Sequence, residues 1–355
     1  MHLQAETAAA AAAPVSVREF RAADASAWDD FVQRSSSATF FHLSGWKEII
    51  EGVFRHRTHY LLAERAGQIV GVLPLAEVRS VLFGHAVTSL PFGVYGGCAA
   101  EDPVAVSLLH EAAVAFGREV GASHVEFRNL QSREPDWPRQ DLYVTFRKEI
   151  LEEVEANMLA IPRKQRAMVR KGIKAGLRSE LDPGVDRFFD LYADNVHRHG
   201  TPPFPKRYFQ ALKRVFGDRC ESLIVLDAGG VAVSGVLSFY FRDEVLPYYA
   251  GDLPAARDLA ANDFKYWELM RRACERGCRV FDYGRSKLGT GSYDFKKNWG
   301  FEPTPLSYEY CLLSATGIPE NNPLNPKYRL FIEAWRRMPR SLVNLLGPHI
   351  VRNLG

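Results

Sequence analysis

No stretch of the 355-residue sequence approaches the roughly 18 consecutive apolar residues that a membrane-spanning helix needs. Cysteine is scarce, and Cys98, Cys220, Cys274, Cys278 and Cys311 form an odd, scattered set. That set gives no disulfide framework, so reduced thiols in a cytosolic protein are expected. Cys274 and Cys278 could share a helix face, but no His or carboxylate accompanies them at zinc spacing. The arginines within "HRTH" (56–59) and "HRH" (197–199) disfavour a cation at those histidines, and no metal is expected. Excess charge is lacking too: 45 Lys and Arg against 42 Asp and Glu leave a net charge of +3. No global field therefore draws in a nucleic acid, and any such partner needs a local patch. The sequence also has no G-x-S-x-G elbow, Walker loop, dinucleotide G-x-G-x-x-G or H-E-x-x-H, which sets aside the chemistries those motifs carry.

What is present suits two globular domains of ordinary size, with 46% hydrophobic and 25% charged residues. The opening "MHLQAETAAAAAAP" has a glutamate, no Lys or Arg and only an alanine run, a poor signal peptide. Residues 1–14 are expected to be an unstructured tail. Beyond it the chain is written roughly twice. "YLLAERAGQIVGVLPLAEVRS" (60–80) and "SLIVLDAGGVAVSGVLSFYFRD" (222–243) each read as strand, glycine turn, strand. Each is followed by an apolar strand ("AVTSLPFGVYGG", "EVLPYYAGD"), a helix ("PVAVSLLHEAAVAFGREVG", "ANDFKYWELMRRACERG") and a short strand ("HVEFRN", "RVFDYG"). Both helices end at glycine, Gly121 and Gly277. The repeat predicts two α+β domains, over 15–155 and 156–315, with mixed, mainly antiparallel sheets flanked by helices, and a basic C-terminal extension over 316–355.

Four segments carry candidate function. "IPRKQRAMVRKGIKAGLRSE" predicts a helix from near Pro162 to near Gly176, with Arg163, Arg166, Arg170 and Lys174 in one stripe and Lys164 and Lys171 beside it. Met168, Val169 and Ile173 point to the opposite side. Six cations with no acid among them repel, and an anionic phosphate, nucleic acid or lipid headgroup would relieve that; a solvated charged face is the alternative. In the closing stretch Tyr328, Phe331, Trp335 and Met338 line a helical stripe with Arg329, Arg336, Arg337 and Arg340 off it, which suits packing on the domain or lying on an anionic inner-membrane surface. "RVFDYG" places Asp282 and Arg285 at the carboxyl end of a strand, where ligands are met. The "GTGSYDFKKNWGF" that follows reads as a flexible turn and then Lys296 between aromatic rings. A desolvated lysine there can face negative charge developing on an acyl or phosphoryl oxygen, or it can snorkel from a core. Spacing leaves both open.

"YYAGD…ANDFKYWELMRRACERGCRVFDYG…YDFKKNWGF" resembles the second domain of the FemA/FemB/FemX-type peptidyltransferases, built of two tandem acetyltransferase-like (GNAT-like) domains. "RKQRAMVRKGIKAGL" is similar to the cationic helix of that family, and "TFFHLSGWKEII" to its N-terminal aromatic-Trp-Lys segment. With "LPFGVYGG" and the ending "PHIVRNLG", the chain looks most like the FemAB-like proteins of exopolysaccharide and PEP-CTERM/exosortase loci. The resemblance implies a cytoplasmic N-acyltransferase that moves an acyl or aminoacyl group onto an amine of a nucleotide- or carbohydrate-linked acceptor. Lys296 would polarise the acyl carbonyl and Asp282 would take or orient the amine's proton. Lys47 and Arg285 would hold phosphates, Arg198, Tyr208 and Tyr249 would line the acceptor groove, and Tyr293 and Trp299 would shape the acyl pocket. No coiled-coil arm follows the basic segment, which puts the family's manner of binding aminoacyl-tRNA in doubt. "LPAARDLAANDFKYW" has no glycine where acetyl-CoA enzymes seat the pyrophosphate on a [QR]-x-x-G-x-[GA] loop. No tightly bound cofactor is expected, and the donor is open. A non-catalytic protein that binds a glycan precursor or tethers an assembly complex is the rival expectation, and an RNA-binding protein using the basic helix is a third.

Overall fold

The computed structural model describes residues 13–80, 84–319 and 329–353. The expected tail and Tyr328 of the closing stripe lie almost wholly, and wholly, outside the described residues. The chain divides into two compact units, one holding 13–80, 84–141 and 306–319, the other 142–305 and 329–352.

The first unit runs β1 (Val15–Glu19), α1 (Ala25–Arg34), α2 (Gly45–Ile49), β2 (Arg57–Arg65), β3 (Gln68–Ser80), β4 (Gly84–Ser89), β5 (Ala99–Ala100), α3 (Pro103–Glu119), β6 (His124–Asn129) and β7 (Arg139–Gln140). The β2–β3 turn is Ala66-Gly67, both with positive φ (50° and 75°), the left-handed pair that matches strand twist in a tight hairpin. Asp102 caps α3 by accepting from Val104 N at 2.8 Å, with Pro103 in the first turn, and Gly121 (φ 69°) follows its end. The sheet order is β1-β2-β3-β4-β6, then the strand Ser307–Leu312, then β7, with β5 on β3. Among the described pairs of this sheet only β4 and β6 run parallel. Helix α3 buries Ala105, Leu109 and Ala113 in a core with Leu73, Leu75, Val125 and Phe127.

The second unit runs β8 (Tyr143–Glu149), α4 (Val154–Ala160), α5 (Arg163–Lys174), β9 (Arg178–Asp182), α6 (Asp186–Arg198), α7 (Lys206–Phe216), β10 (Cys220–Leu226), β11 (Ala232–Phe241), β12 (Glu244–Asp252), α8 (Ala261–Glu275), β13 (Val280–Lys287), α9 (Gly291–Asn298) and β14 (Pro303–Pro305). The chain then gives β15 (Ser307–Leu312) to the first sheet and returns as α10 (Arg329–Arg337) and α11 (Arg340–Val351). The order is β14-β8-β13-β12-β11-β10-β9, and again one described pair, β12 with β13, is parallel. Helix α6 lies so close to β12 that a Cβ on Gly251 would meet the Leu191 carbonyl carbon and the Tyr192 nitrogen at 2.4 Å, so only glycine fits there. Helix α8 packs with α5, and α10 and α11 pack on α6.

Both sheets are mixed and mainly antiparallel and are flanked by helices, as expected. The units are not the consecutive blocks 15–155 and 156–315: β8 belongs to the second sheet and β15 to the first. β8 pairs with β13 and β15 with β6, so each sheet takes the strand next to its parallel pair from the other stretch of chain. The "GTGSYDFKKN" segment is not a flexible turn but helix α9, because Thr290 Oγ1 accepts from Tyr293 N at 3.4 Å and caps it. Helix α5 matches its expected span, yet Ile173 is half exposed, and Val169 and Gly172 form the inward face.

Candidate functional site

In the second unit β12 and β13 pair only at Glu244–Val280 and Val245–Phe281, and beyond those residues their ladder ends. Each strand carries a bulge just past that point. On β12, Tyr249 opposes Leu237 and Pro247 opposes Ser238, which leaves Tyr248 as the extra residue. On β13 the register against β8 jumps between Asp282 and Arg285, with Gly284 at φ 63°.

Lys296 and Asp282 meet the polar needs of that second bulge. Lys296, 7% exposed, donates from Nζ to the carbonyls of Tyr283 (2.7 Å), Gly284 (3.0 Å) and Arg285 (3.1 Å). Its ammonium stands 5.6 Å from the Phe146 ring centroid and 5.9 Å from that of Tyr283, not between Phe295 and Trp299. Burial pulls this lysine down to about 7, Asp282 opposes the fall and Arg285 adds to it. Asp282, fully buried, accepts from Gly284 N at 2.7 Å and from Arg147 Nη1 at 2.8 Å. Arg147 also pairs with Glu244, whose carboxyl is pushed up by burial. Asp282 thus braces the bulge and is not presented to solvent as a proton acceptor. The three Lys296 donors are likewise committed to backbone carbonyls.

Around this centre Arg285 is exposed, its guanidinium 4.4 Å over the Tyr143 ring. Tyr293 is half-buried against Phe146. Trp299 lies in the core, with Nε1 donating to Asp263 at 3.0 Å, and lines a cavity of about 110 Å³ with Ile150, Ile161 and Met270. It is packing for α8 and α9, in the core cluster against which Tyr293 also packs. The Tyr283 hydroxyl is buried without a hydrogen-bond partner among the described residues, an orphan that a ligand or water would satisfy.

At the carboxyl end of β12 the structure gathers residues that spacing did not single out. Lys265, fully buried on α8, donates to Asp252 Oδ1 at 2.8 Å, and Ser234 donates to the same oxygen. Arg198 joins them by donating to the Asp252 carbonyl, and binds Asp194 Oδ2 at 2.8 Å. Tyr208 is fully buried, its hydroxyl 2.9 Å from that of half-buried Tyr249, so Tyr208 reaches a groove only through Tyr249. On α5, Arg166 donates to the Leu159 carbonyl at 3.0 Å. Arg163, Arg170 and Lys174 have no ion-pair partner among the described residues.

The first unit contributes Lys47, which donates to Glu51 and to Thr58 Oγ1, both at 2.5 Å, so a phosphate there must compete with a carboxylate. It also holds a pocket of about 420 Å³ that sequence reasoning missed, lined by Ser36, Thr39, Tyr95, Glu101, Gln131 and Arg133 among others. Leu90 (φ 46°) and Phe92 (φ 68°) strain the loop leading to Tyr95. Glu309 on β15, fully buried, fixes the opposite wall by accepting from Asn129 Nδ2 (2.8 Å), Ser132 Oγ (2.6 Å), Arg133 N (3.0 Å) and Glu134 N (3.1 Å). The signal was non-local: Glu309 follows Ser132 by 177 positions.

Residues 163–297 match the model of an acetyltransferase (GNAT) domain. No curated protein sequence matches the chain at a significant level. Among solved structures, FemX is similar over 89% of this chain and 100% of its own, with a TM-score of 0.65 and 14% identity. The structure of L-PGS from Bacillus licheniformis covers 88% of this chain and 96% of its own (TM-score 0.52, 14% identity). A tandem GNAT protein from the clavulanic acid biosynthesis pathway covers 86% and 100% (TM-score 0.50, 12% identity). At such identities the likeness is one of fold. The chain folds as two GNAT-like domains in tandem, and residues 163–297, within its second unit, match an acetyltransferase (GNAT) domain.

Proposed function

We propose that this chain is an N-acyltransferase whose second unit moves an acyl or aminoacyl group onto an amine of a nucleotide- or carbohydrate-linked acceptor in envelope or exopolysaccharide assembly. The observation that carries this reading is the parting of β12 and β13 with a bulge on each strand, the β13 bulge clamped by Lys296. A bulge takes backbone groups out of the ladder, and a backbone N–H turned towards such an opening would suit an acyl oxygen that gains charge as the amine attacks. Orientation and that charge stabilisation supply most of the catalysis for an amine meeting an activated ester or thioester. Lys296 and Asp282 serve this geometry as positioning residues that hold Tyr283 to Arg285 in place. Arg285, exposed at the mouth, and Arg198 at the end of β12 provide cations for an anionic acceptor. Tyr249 and Tyr293 offer aromatic surface to it.

The donor is not expected to be acetyl-CoA held in the usual way. Helix α8 begins after Ala260, in the left-handed region (φ 56°) that favours glycine, and its first turn holds Asp263, whose charge opposes a pyrophosphate. An aminoacyl-tRNA or another activated acyl group fits better, with Arg163, Arg170 and Lys174 on the exposed face of α5 as its anion contacts. The cytoplasmic setting follows from the scattered cysteines and the sequence resemblance, and the link to PEP-CTERM systems from the resemblance. Mass spectrometry of the purified chain with acyl-CoAs, charged tRNA and UDP-amino sugars tests the reading. Transfer to an amine that disappears in Lys296→Met supports it, and binding without product from any donor and acceptor pair removes it.

A further inference from the structure

The aromatic stripe of the closing segment, expected to pack on the domain or to lie on a membrane, runs through Trp335, which is only 2% exposed and packs inward. A different face is left outward. On α11, Val343 and Val351 are buried, and a Cβ on Gly347 would meet Pro203 Cδ at 2.5 Å, so this side is seated against the unit. On the opposite side of the helix, Leu342 (45% exposed), Leu345 (63%) and Leu346 (42%) stand in solvent at i, i+3, i+4 spacing. A helix with apolar side chains on both faces has one face more than the described residues cover.

The net charge of the closing segment selects what covers them, even though Arg336 donates to the His199 carbonyl and Arg340 to that of Asp190. Residues 336–353 carry Arg336, Arg337, Arg340 and Arg352 and not one carboxylate. Asp190 on α6, 3.6 Å from Arg340, offsets one of these charges, and Glu333 is the one acid on α10. Two copies of the chain meeting through this face would set arginines against arginines with no acid in the segment to relieve them. An anionic lipid surface meets both features at once: headgroups answer the arginines, and the acyl boundary takes the leucines.

We propose that α11 is a peripheral docking element for an anionic lipid bilayer, with Leu342, Leu345 and Leu346 as its inserted face and Arg337 among its headgroup contacts. The inference does not depend on which group the second unit transfers. It is tested by co-sedimentation of the full chain with vesicles of phosphatidylcholine alone and of phosphatidylcholine with phosphatidylglycerol. The chain binds the anionic vesicles at least tenfold more tightly than the neutral ones, and half-molar salt weakens that binding. The pair Leu345→Glu and Leu346→Glu, both exposed and so compatible with the fold, lowers the affinity at least tenfold at an unchanged melting temperature. Arg337→Glu lowers it to a smaller degree. Equal binding by wild type and the leucine variant, or no binding to anionic vesicles, overturns the proposal. So does a concentration-dependent dimer in analytical ultracentrifugation that the leucine substitutions dissolve, because it assigns the face to a second copy.

Discussion

The two units build the same strand pattern and finish it differently where their parallel strands part. In the first, β4 and β6 pair over Ala86–Thr88, and β6 then runs on in unbroken register with β15. Arg128 fills the gap beyond: it donates to Glu126 Oε1 at 2.9 Å and to the Gly93 carbonyl at 3.0 Å. In the second, Gly284 stands at the same distance from Gly277 as Arg128 from Gly121, and the strand bulges there. The acid two positions earlier, Glu126 or Asp282, binds an arginine in both units. One exchange and one addition thus separate a sealed ladder from an open one: a glycine where the first unit has an arginine, and a lysine brought up from α9 to hold the freed carbonyls. The first unit keeps its space elsewhere, in the polar pocket behind Glu309.

Several measurements break or sharpen this contrast. Lys296→Met strands three carbonyls and loosens the bulge, so transfer falls at least ~100-fold, the scale of misplacing the reacting groups by about 1 Å. The same change costs about 2–4 kcal/mol of stability in a denaturant melt, because buried acceptors lose their donor. Glu309→Gln sets an amide N–H₂ against donors it cannot serve and costs about 2–3 kcal/mol. Hydrogen exchange should place that loss in the first unit and leave β12 and β13 protected.

A titration sharpens the point further. With Lys296 near 7 in the folded state and 10.5 unfolded, the unfolded chain binds more protons between those values. Its burial penalty is therefore full below about pH 7 and is relieved as pH rises towards 10.5. Stability of wild type relative to Lys296→Met should climb by up to about 1.4 kcal/mol per pH unit across that window, and parallel curves would refute the buried lysine. Gly284→Ala meets no atom within 4 Å but must hold φ at 63°, so it costs about 1 kcal/mol in the same melt. Arg170→Glu with Lys174→Glu on the exposed face of α5 should move stability by less than about 0.5 kcal/mol.

Much of this architecture was legible in the sequence. Helices α3, α5 and α8 announce themselves by apolar period and by the glycines after their ends, because those are local signals. The exchange of β8 and β15 was not legible, since "YVTFRKE" and "SYEYCL" alternate like any strand and nothing local names a partner sheet. The aromatic neighbours of Lys296 left a desolvated and a snorkelling lysine equally open, and the structure buries it. Its acceptors stayed hidden because they are main-chain carbonyls exposed by a bulge, which side-chain spacing does not encode. Lys265 and Asp252 were passed over for a similar reason: each looks like an ordinary helix or strand-end charge until β12 and α8 meet. Trp335 read as part of an amphipathic stripe, and the structure gives the outward role to leucines on the next helix.

The central claim is that transfer belongs to the clamped opening of the second unit and not to the first unit's pocket. The most direct measurement compares wild type, Lys296→Met and Arg133→Ala in one mass-spectrometric transfer assay, with melting curves to show each is folded. The account predicts product from wild type and from Arg133→Ala at similar turnover, and none from folded Lys296→Met. Product from Lys296→Met at the wild-type rate would contradict it.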